Sequence, residues 1–189
     1  MKRNIKVGII GFGTIGSGVV KILTAHKESV RQRLGAEIQV VKIADLDIKS
    51  DRGINIDLNI LTTDVQKVIE HPEIDLIIEL IGGNEPARSF VLQAISRGKH
   101  IVTANKALLA GHADEIFASA EDNQVSIGFE AAVAGAIPII RSIREAFVSN
   151  EIKSIEGIVN GTANYILSKM SDENYDFDIA LREAQQKGF

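Results

Sequence analysis

The sequence predicts an α/β protein built on a mostly parallel β-sheet. Three observations indicate this class. Short apolar runs that read as strands alternate with segments in which apolar residues recur at helical spacing. These runs are almost continuously hydrophobic, as strands covered on both faces are. The composition, with 45% hydrophobic and 24% charged residues, is that of an ordinary globular protein.

The first two strands and the helix between them are predicted near the start of the chain. Residues 5–10 form a short apolar run that ends in glycine. Helical spacing begins at Ile15, and Gly35 is expected to end this helix. Residues 38–44 are β-branched and apolar and predict the second strand. The polar stretch around Gly53 is predicted to be a loop.

Three more strands alternate with helices in the middle of the chain. Thr63 is predicted to cap a short helix that His71 and Pro72 stop. Strands that alternate with helices are typical of a parallel sheet with right-handed crossovers. The strands are predicted at residues 75–81, 100–103 and 125–129, with one helix starting near Pro86 and another running through Ile116 and Phe117.

The pattern changes at Pro138, where we place a domain boundary. Residues 1–137 would form the first domain and residues 138–189 the start of a smaller α+β domain. The second segment is predicted to contain a helix at 139–147, a strand at 152–159, and helices at 163–170 and 177–186.

Charge and composition exclude several kinds of partner. The chain has 25 acidic and 21 basic side chains, a net charge of −4, so it lacks the basic excess of nucleic-acid-binding proteins. It contains no cysteine, which excludes disulfides, thiol nucleophiles and cysteine metal ligands. The first apolar run is too short for a secretory signal or a membrane span. We therefore expect a cytoplasmic protein with no nucleic-acid or membrane partner.

The first motif with chemical meaning is the glycine turn GFGTIG at residues 11–16, between the first strand and the first helix. Gly11 allows a tight turn, Gly13 lets a diphosphate approach the backbone, and Gly16 lets helix and strand pack closely. The N-terminus of the helix then offers free N–H groups to the phosphates. Glycine turns also join strands to helices for purely steric reasons. In this α/β context we favour a Rossmann-type doubly wound sheet that binds a dinucleotide.

Asp45 follows the second strand, where a carboxylate can accept hydrogen bonds from ribose hydroxyls and repel a 2′-phosphate. It lies farther from the glycines than the roughly 20 residues of the usual fingerprint. The alternative is a solvated loop acid, since Asp47 and Asp51 are nearby. If Asp45 binds ribose, NAD is preferred over NADP.

Two further positions follow predicted strands at the edge where ligands bind such sheets. Gly82 and Gly83 fit a second close approach of the backbone to the cofactor, or a simple turn at the end of a strand. Lys106 follows the strand that ends at Thr103, and both are predicted to contact the cofactor. The alternative for Lys106 is an ordinary surface lysine.

Taken together, these motifs resemble those of the homoserine dehydrogenases over essentially the whole chain. The three later motifs, in this order and spacing, are far more diagnostic than the glycine turn. The motifs are GFGTIG at 11–16, IGG at 81–83 with EPA at 85–87, TANKALL at 103–109, FEAAVAGAIP at 129–138 and GIVNGTANYIL at 157–167.

The resemblance implies an enzyme that interconverts L-homoserine and L-aspartate 4-semialdehyde with NAD(P), in threonine, methionine and isoleucine synthesis. It also implies a homodimer that assembles through the second domain. The resemblance implies that Phe12, Thr14 and Ile15 contact the dinucleotide, and that Lys106, the catalytic candidate, lies near the nicotinamide and the substrate. The implied residues on the substrate side are Asn160, Gly161, Thr162 and Tyr165. Those implied around a monovalent cation, usually sodium, are Glu130, Val133, Gly135 and Ile137. The turn from 130 to 137 can equally be an interdomain hinge, and the two interpretations are compatible.

Two departures from the family qualify these expectations. Leu46 stands where many members carry an arginine suited to a 2′-phosphate, which favours NAD, although NADP stays an alternative. The family's substrate-binding glutamate and its catalytic aspartate and lysine would lie beyond Phe189, so we expect this chain alone to bind cofactor but to turn over poorly. Two other hypotheses stay open: an oxidoreductase of another small substrate, and a non-catalytic dinucleotide-binding or dimerisation module.

Overall fold

A parallel six-stranded sheet forms the centre of the computed structural model, which describes residues 4–188. Met1 to Arg3 and Phe189, at the outer ends of the two predicted domains, lie outside the described residues. The strand order is β3-β2-β1-β4-β5-β6, so the order reverses between β1 and β4. The predicted doubly wound parallel sheet is confirmed. The strands are β1 (Asn4–Ile10), β2 (Glu37–Ala44), β3 (Leu61–Thr62), β4 (Leu76–Glu79), β5 (His100–Thr103) and β6 (Ile127–Gly128).

Three of these strands differ from the prediction by more than one residue. β4 (Leu76–Glu79) is shorter than the predicted 75–81. β3 was not predicted, because a two-residue strand carries no hydrophobic pattern of its own. β6 is shorter than the predicted 125–129.

Helices connect the strands. The prediction of one helix from Ile15 to Gly35 is wrong, because His26 leaves helical geometry (φ −108°, ψ 20°) and divides the segment in two. Gly35 ends the second of these helices in a left-handed conformation, with φ 71°. The helices of this part are α1 (Thr14–Ala25), α2 (Lys27–Leu34), α3 (Gln66–Ile69), α4 (Ala87–Ser96) and α5 (Lys106–Asp122).

The predicted cap of the short helix α3 is also wrong. The Oδ1 atom of Asp64, not the hydroxyl of Thr63, accepts a hydrogen bond from the N–H of Gln66 at 3.0 Å. The main-chain N–H of Asp64 donates to Oγ1 of Thr62 at 3.1 Å. Thr63 lines the cleft described below.

The core around the sheet consists of two apolar clusters, because alternate strand residues point to opposite faces of the sheet. Val7 and Ile9 of β1 belong to a cluster with Val20 of α1. Ile77 of β4 belongs to the other cluster, which contains Ile95 of α4 and residues of α5.

Residue contacts divide the chain into two compact units, one that ends at Arg144 and one that begins at Glu145. In the second unit, α7 (Gly161–Glu173) and α8 (Phe177–Gln186) pack around Ile166, Ala180 and Ala184. Such a division by contacts is not a domain boundary, so the boundary at Pro138 stays a prediction.

Two elements predicted after Pro138 differ in the structure. The helix predicted at 139–147 is a short α-helix, α6 (Ile139–Arg141), continued by a π-helical turn (Ser142–Ala146). The strand predicted at 152–159 is wrong, since these residues have no regular structure and Ile155 and Ile158 are 67% and 75% exposed. A strand needs hydrogen bonds to a neighbour, and the described residues provide none there. No helix within the described part of the chain is long and apolar enough to cross a membrane.

Candidate functional site

The glycine turn between β1 and α1 uses each of its three glycines differently. Gly11 has φ +101°, and a Cβ atom there would lie 2.8 Å from the backbone carbon of Leu80. A Cβ atom on Gly16 would lie 2.1 Å from the carbonyl oxygen of Gly11. A Cβ atom on Gly13, by contrast, would meet nothing within 4 Å. Two of the glycines are therefore needed for packing, while the third faces open space.

That open space lies at the N-terminus of α1. Gly13 is the N-cap residue of the helix, and no side chain caps the helix by a hydrogen bond. Thr14 and Ile15, the first helical residues, are exposed. The first N–H groups of a helix have no intrahelical partner and lie at the positive end of the helix dipole, which suits an anion.

A cleft of about 600 Å³ runs beside this turn, where the strand order reverses between β1 and β4. In doubly wound sheets this is the point at which dinucleotides bind. The lining of the cleft is mostly apolar. It includes four of the predicted cofactor-binding residues, Gly11, Gly13, Asp45 and Gly82. Phe12 is different, because its side chain is buried in the core and only its main chain can face a ligand. The other lining residues are Ile10, Ala44, Leu46, Thr63, Val65, Leu80, Ile81, Glu85, Pro86 and Phe90.

The carboxylate of Asp45 ties the end of β2 to the glycine turn. One oxygen, Oδ2, accepts a hydrogen bond from the N–H of Phe12, and Oδ1 accepts one from the N–H of Asp47 at 2.8 Å. Each carboxylate oxygen has about two acceptor sites. Asp45 can therefore hold the loop and still accept hydrogen bonds from ribose hydroxyls in the cleft.

The charges of the loop after β2 balance, because Asp47 and Asp51 are matched by Lys49 and Arg52. Hydrogen bonds from the side chain and N–H of Ser50 and from the N–H of Lys49 lower the pKa of Asp47 to about 2. The guanidinium of Arg52 lies 3.2 Å from the carboxylate of Asp47, so its positive charge is compensated within the loop. The loop therefore adds no net positive charge beside Asp45 for an additional phosphate.

A buried carboxylate that the sequence analysis missed lies at the end of β4. Glu79 is 0% exposed. Its Oε1 accepts hydrogen bonds from the N–H groups of Ile81 at 2.9 Å and Gly82 at 3.4 Å, and the amide of Asn105 lies 3.5 Å away. Its Oε2 accepts a hydrogen bond of 2.6 Å from the hydroxyl of Thr103. The available signal was a single acid inside an otherwise apolar strand.

The same network holds the start of α5. Asn105 donates to the carbonyl of Gly83 at 2.7 Å, and its Oδ1 caps the helix by accepting from the N–H of Leu108 at 3.1 Å. Thr103 is 1% exposed, and its hydroxyl also accepts from the N–H of Asn105 at 3.0 Å. Lys106 is exposed and is the first residue of α5. Because a helix N-terminus disfavours a cation, helix stability does not explain this lysine.

The turn from 130 to 137 has an unusual backbone. Ala134 and Ala136 have φ values of +46° and +67°, on either side of Gly135. The left-handed region costs a residue with a Cβ roughly 1–2 kcal/mol, and such strain is common in loops that hold ligands. The carboxylate of Glu130 accepts hydrogen bonds from the N–H groups of Ile140 at 3.0 Å and Arg141 at 2.9 Å. The main-chain carbonyl of Glu130 accepts a hydrogen bond of 3.3 Å from the N–H of Val133, and its second lone pair could face a cation.

The predicted substrate residues lie at the start of α7 in the second unit. The side chain of Asn160 caps this helix by accepting a hydrogen bond of 2.8 Å from a first-turn N–H. The hydroxyl of Tyr165 donates to Glu183 at 2.6 Å and accepts from Lys187 at 2.8 Å. Hydrogen bonds from Lys187 and Tyr165 lower the pKa of Glu183. The residues of this group, whose substrate role stays a prediction, are Asn160, Gly161, Thr162 and Tyr165.

The fold, the open glycine turn and the adjoining cleft define a dinucleotide-binding protein of the Rossmann class. The family model "Homoserine dehydrogenase, NAD binding domain" matches residues 11–130, and the model "Homoserine dehydrogenase" matches residues 138–189. The chain belongs to the homoserine dehydrogenase family. The resemblance in its motifs is thereby confirmed.

Individual relatives support this assignment. The homoserine dehydrogenase of Bacillus subtilis is 42% identical over 187 residues, which cover 99% of this chain and 43% of that protein. A crystal structure of a homoserine dehydrogenase from Thiobacillus denitrificans matches with 47% identity and a TM-score of 0.91, over 99% of this chain and 43% of that one. A hyperthermophilic archaeal homoserine dehydrogenase in complex with NADPH matches with 27% identity and a TM-score of 0.80, over 98% of this chain and 61% of that one. The chain thus spans less than half the length of the curated relatives it matches.

Proposed function

We propose that the chain is the cofactor-binding part of a homoserine dehydrogenase, which transfers a hydride between L-homoserine and L-aspartate 4-semialdehyde with NAD(P). The observation that carries this proposal is the open space at Gly13, beside the uncapped start of α1 and the cleft at the strand-order reversal. Family membership supplies the substrate class. The pathway that follows is the synthesis of threonine, methionine and isoleucine.

Each part of the site has a role in this proposal. The N–H groups at the start of α1 bind the diphosphate, with Gly13 allowing the close approach, and Asp45 binds the ribose of the adenosine half. Gly82 and Gly83 follow β4, on the other side of the strand-order reversal. Thr103 ends the next strand, β5, and Lys106 begins α5 after it. The bound nicotinamide supplies the hydride chemistry. The ammonium of Lys106 donates a hydrogen bond to the substrate oxygen and stabilises the negative charge that develops there during carbonyl reduction.

The test is a calorimetric titration with NADH, together with an assay of homoserine oxidation by the protein that carries this chain. We expect NADH to bind to the cleft, and homoserine to be preferred over other small hydroxy acids and alcohols in a substrate panel. Binding without turnover of any panel member would favour the non-catalytic module. Preference for another alcohol would assign a different dehydrogenase.

The carboxylate of Asp45 supports a preference for NAD over NADP, and neither Leu46 nor the loop that follows adds net positive charge for a 2′-phosphate. The relative in complex with NADPH makes this preference worth testing directly. Substitution of Asp45 by asparagine is expected to raise affinity for NADPH relative to NADH by about tenfold. The reason is that one charge near a phosphate contributes roughly 1–2 kcal/mol in a water-like dielectric. The single carbonyl oxygen of asparagine can keep the hydrogen bond from the N–H of Phe12, while the one from the N–H of Asp47 is lost.

The matched control is Asp51→Asn, which removes the same charge from the same loop. Asp51 accepts a hydrogen bond only from the nearby N–H of Gly53 among its contacts in the described residues. The NADPH-to-NADH affinity ratio of the Asp51→Asn variant is expected to stay at the wild-type value. An equal change in both variants would contradict a specific role of Asp45.

We further propose that the turn from 130 to 137 binds a monovalent cation, most simply sodium, through main-chain carbonyls. The left-handed Ala134 and Ala136 support this, and the described residues contain no cluster of three or more histidine, aspartate or glutamate side chains that could hold a metal instead. Oxygen-only ligation suits a hard cation. The proposed ligands are the carbonyl groups of Glu130, Val133, Gly135 and Ile137.

Sodium is therefore expected to stabilise the chain. When choline chloride is replaced by sodium chloride at constant ionic strength, we expect Tm to rise by roughly 2–4 °C for each kcal/mol of binding free energy. Differential scanning calorimetry in both salts measures this shift. Equal Tm values in sodium and choline would contradict the cation site and leave the hinge interpretation.

We also propose that the protein is a homodimer, located in the cytoplasm. Ile155, Ile158 and Val159 support the dimer, because this apolar segment is exposed and has no partner strand among the described residues. Light scattering of the purified protein tests the oligomeric state, and a monomer at micromolar concentration would contradict it.

A further inference from the structure

The carboxyl group of Glu79 is unusual for its position. The carboxylate is fully buried, and within the described chain each of its hydrogen-bond partners is an uncharged donor. Burial of a carboxylate without a cation costs stability. An uncharged side chain would have avoided that cost. Proteins bury an acidic side chain without a cation mainly where function requires it, so Glu79 is expected to have a functional role.

Glu79 lies directly behind the wall of the cleft. The two N–H groups that donate to its Oε1 belong to Ile81 and Gly82, and both of these residues line the cleft. A dinucleotide bound at the strand-order reversal places one mononucleotide half on each side of β1. Asp45, at the end of β2, marks the adenosine side. The nicotinamide half therefore lies on the side of β4, which ends at Glu79.

We propose that Glu79 is a specificity-determining residue that biases the site towards the oxidised, positively charged nicotinamide. The inference rests on the proposed function, since it needs a nicotinamide cofactor in the cleft. Only the oxidised ring carries a positive charge, so a buried anion behind the cleft wall attracts NAD+ and not NADH. Its field is weakly screened, because the carboxylate is fully buried.

The test is the substitution Glu79→Gln, with NAD+ and NADH affinities measured by calorimetry. Glutamine has nearly the same shape and keeps an acceptor for the N–H of Ile81, so it removes mainly the charge. We expect NAD+ to bind about 3–10-fold more weakly and NADH to change by less than about twofold. The matched control is Asp75→Asn at the other end of β4, roughly 13 Å away at about 3.3 Å per strand residue. Asp75 accepts from the N–H of Lys6, and its loss is expected to leave the NAD+ to NADH affinity ratio unchanged.

The possible results separate the inference from the proposed function. If both cofactors weaken equally in Glu79→Gln, Glu79 only holds the 81–83 loop and the inference is overturned. If the wild-type chain binds neither cofactor, the proposed function itself fails. If the variant does not fold, the wild type still provides a test, with benzamide adenine dinucleotide as a cofactor analogue whose ring is similar in shape but neutral. NAD+ is then expected to bind more tightly than the analogue, and equal affinities would overturn the inference.

Discussion

Substitution of Gly13 by valine is expected to lower affinity for NADH by about 100-fold or more while the chain stays folded. Gly13 has φ −68°, which any residue can adopt, and a Cβ atom there meets no protein atom within 4 Å. The valine side chain would instead occupy the space through which a diphosphate approaches the first turn of α1. A loss of about 2.7 kcal/mol in binding corresponds to this factor. Calorimetric titration measures the affinity, and circular dichroism verifies the fold.

Gly18→Val in the same helix is the matched control. A Cβ atom on Gly18 also meets nothing within 4 Å, but this position is one turn further along α1. Because glycine is a poorer helix former than valine, the control is expected to retain both stability and NADH affinity. If Gly13→Val bound NADH as well as this control does, the assignment of the turn as the diphosphate site would be wrong.

Substitution of Gly16 by alanine is expected to cause a large loss of stability, whereas Gly13→Val is expected to lower cofactor affinity in a folded chain. The new Cβ atom would lie 2.1 Å from the oxygen and 3.0 Å from the carbon of the Gly11 carbonyl group. These are backbone atoms, and Gly11 itself is held against the backbone of Leu80, so no flexible side chain can move aside. Overpacking that forces the backbone to shift costs about 3 kcal/mol. This loss corresponds to a decrease in Tm of roughly 6–12 °C for a chain of this size.

Thermal denaturation of Gly16→Ala and Gly18→Ala provides the measurement and its control. Alanine at Gly18 is expected to stabilise α1 by about 0.5–1 kcal/mol, since it replaces glycine in a helix without a clash. A Tm within 2 °C of the wild type for Gly16→Ala would mean that helix and turn separate easily, contrary to the close packing in the structure.

The elements that could be predicted from the sequence are those with a strong local pattern. Four of the strands, β1, β2, β4 and β5, are apolar runs, and their neighbouring helices show helical spacing. β3 has only two residues and exists because it pairs with β2. The segment 152–159 has the apolar, β-branched composition of a strand but no partner, so composition alone predicted the wrong structure.

In the candidate site, too, features with a local sequence pattern were predicted, and features that depend on distant residues were not. The glycine turn was predicted because its requirements, a tight turn and close packing, involve neighbours in the chain. Asp45 was predicted from its place after a strand, but its hydrogen bond to the N–H of Phe12 depends on the pairing of β1 with β2. Glu79 was missed because its two side-chain partners, Thr103 and Asn105, are 24 and 26 residues away in the chain.

By itself, the sequence determined the alternation of strands and helices, the glycine turn and the family. Each of these depends on short-range spacing, which the order of residues states directly. Only the tertiary structure decided which glycine faces open space, where the cleft runs and which carboxylate lies buried behind it. These properties arise when parallel strands bring their carboxyl ends to one edge, because residues distant in the chain then become hydrogen-bond partners.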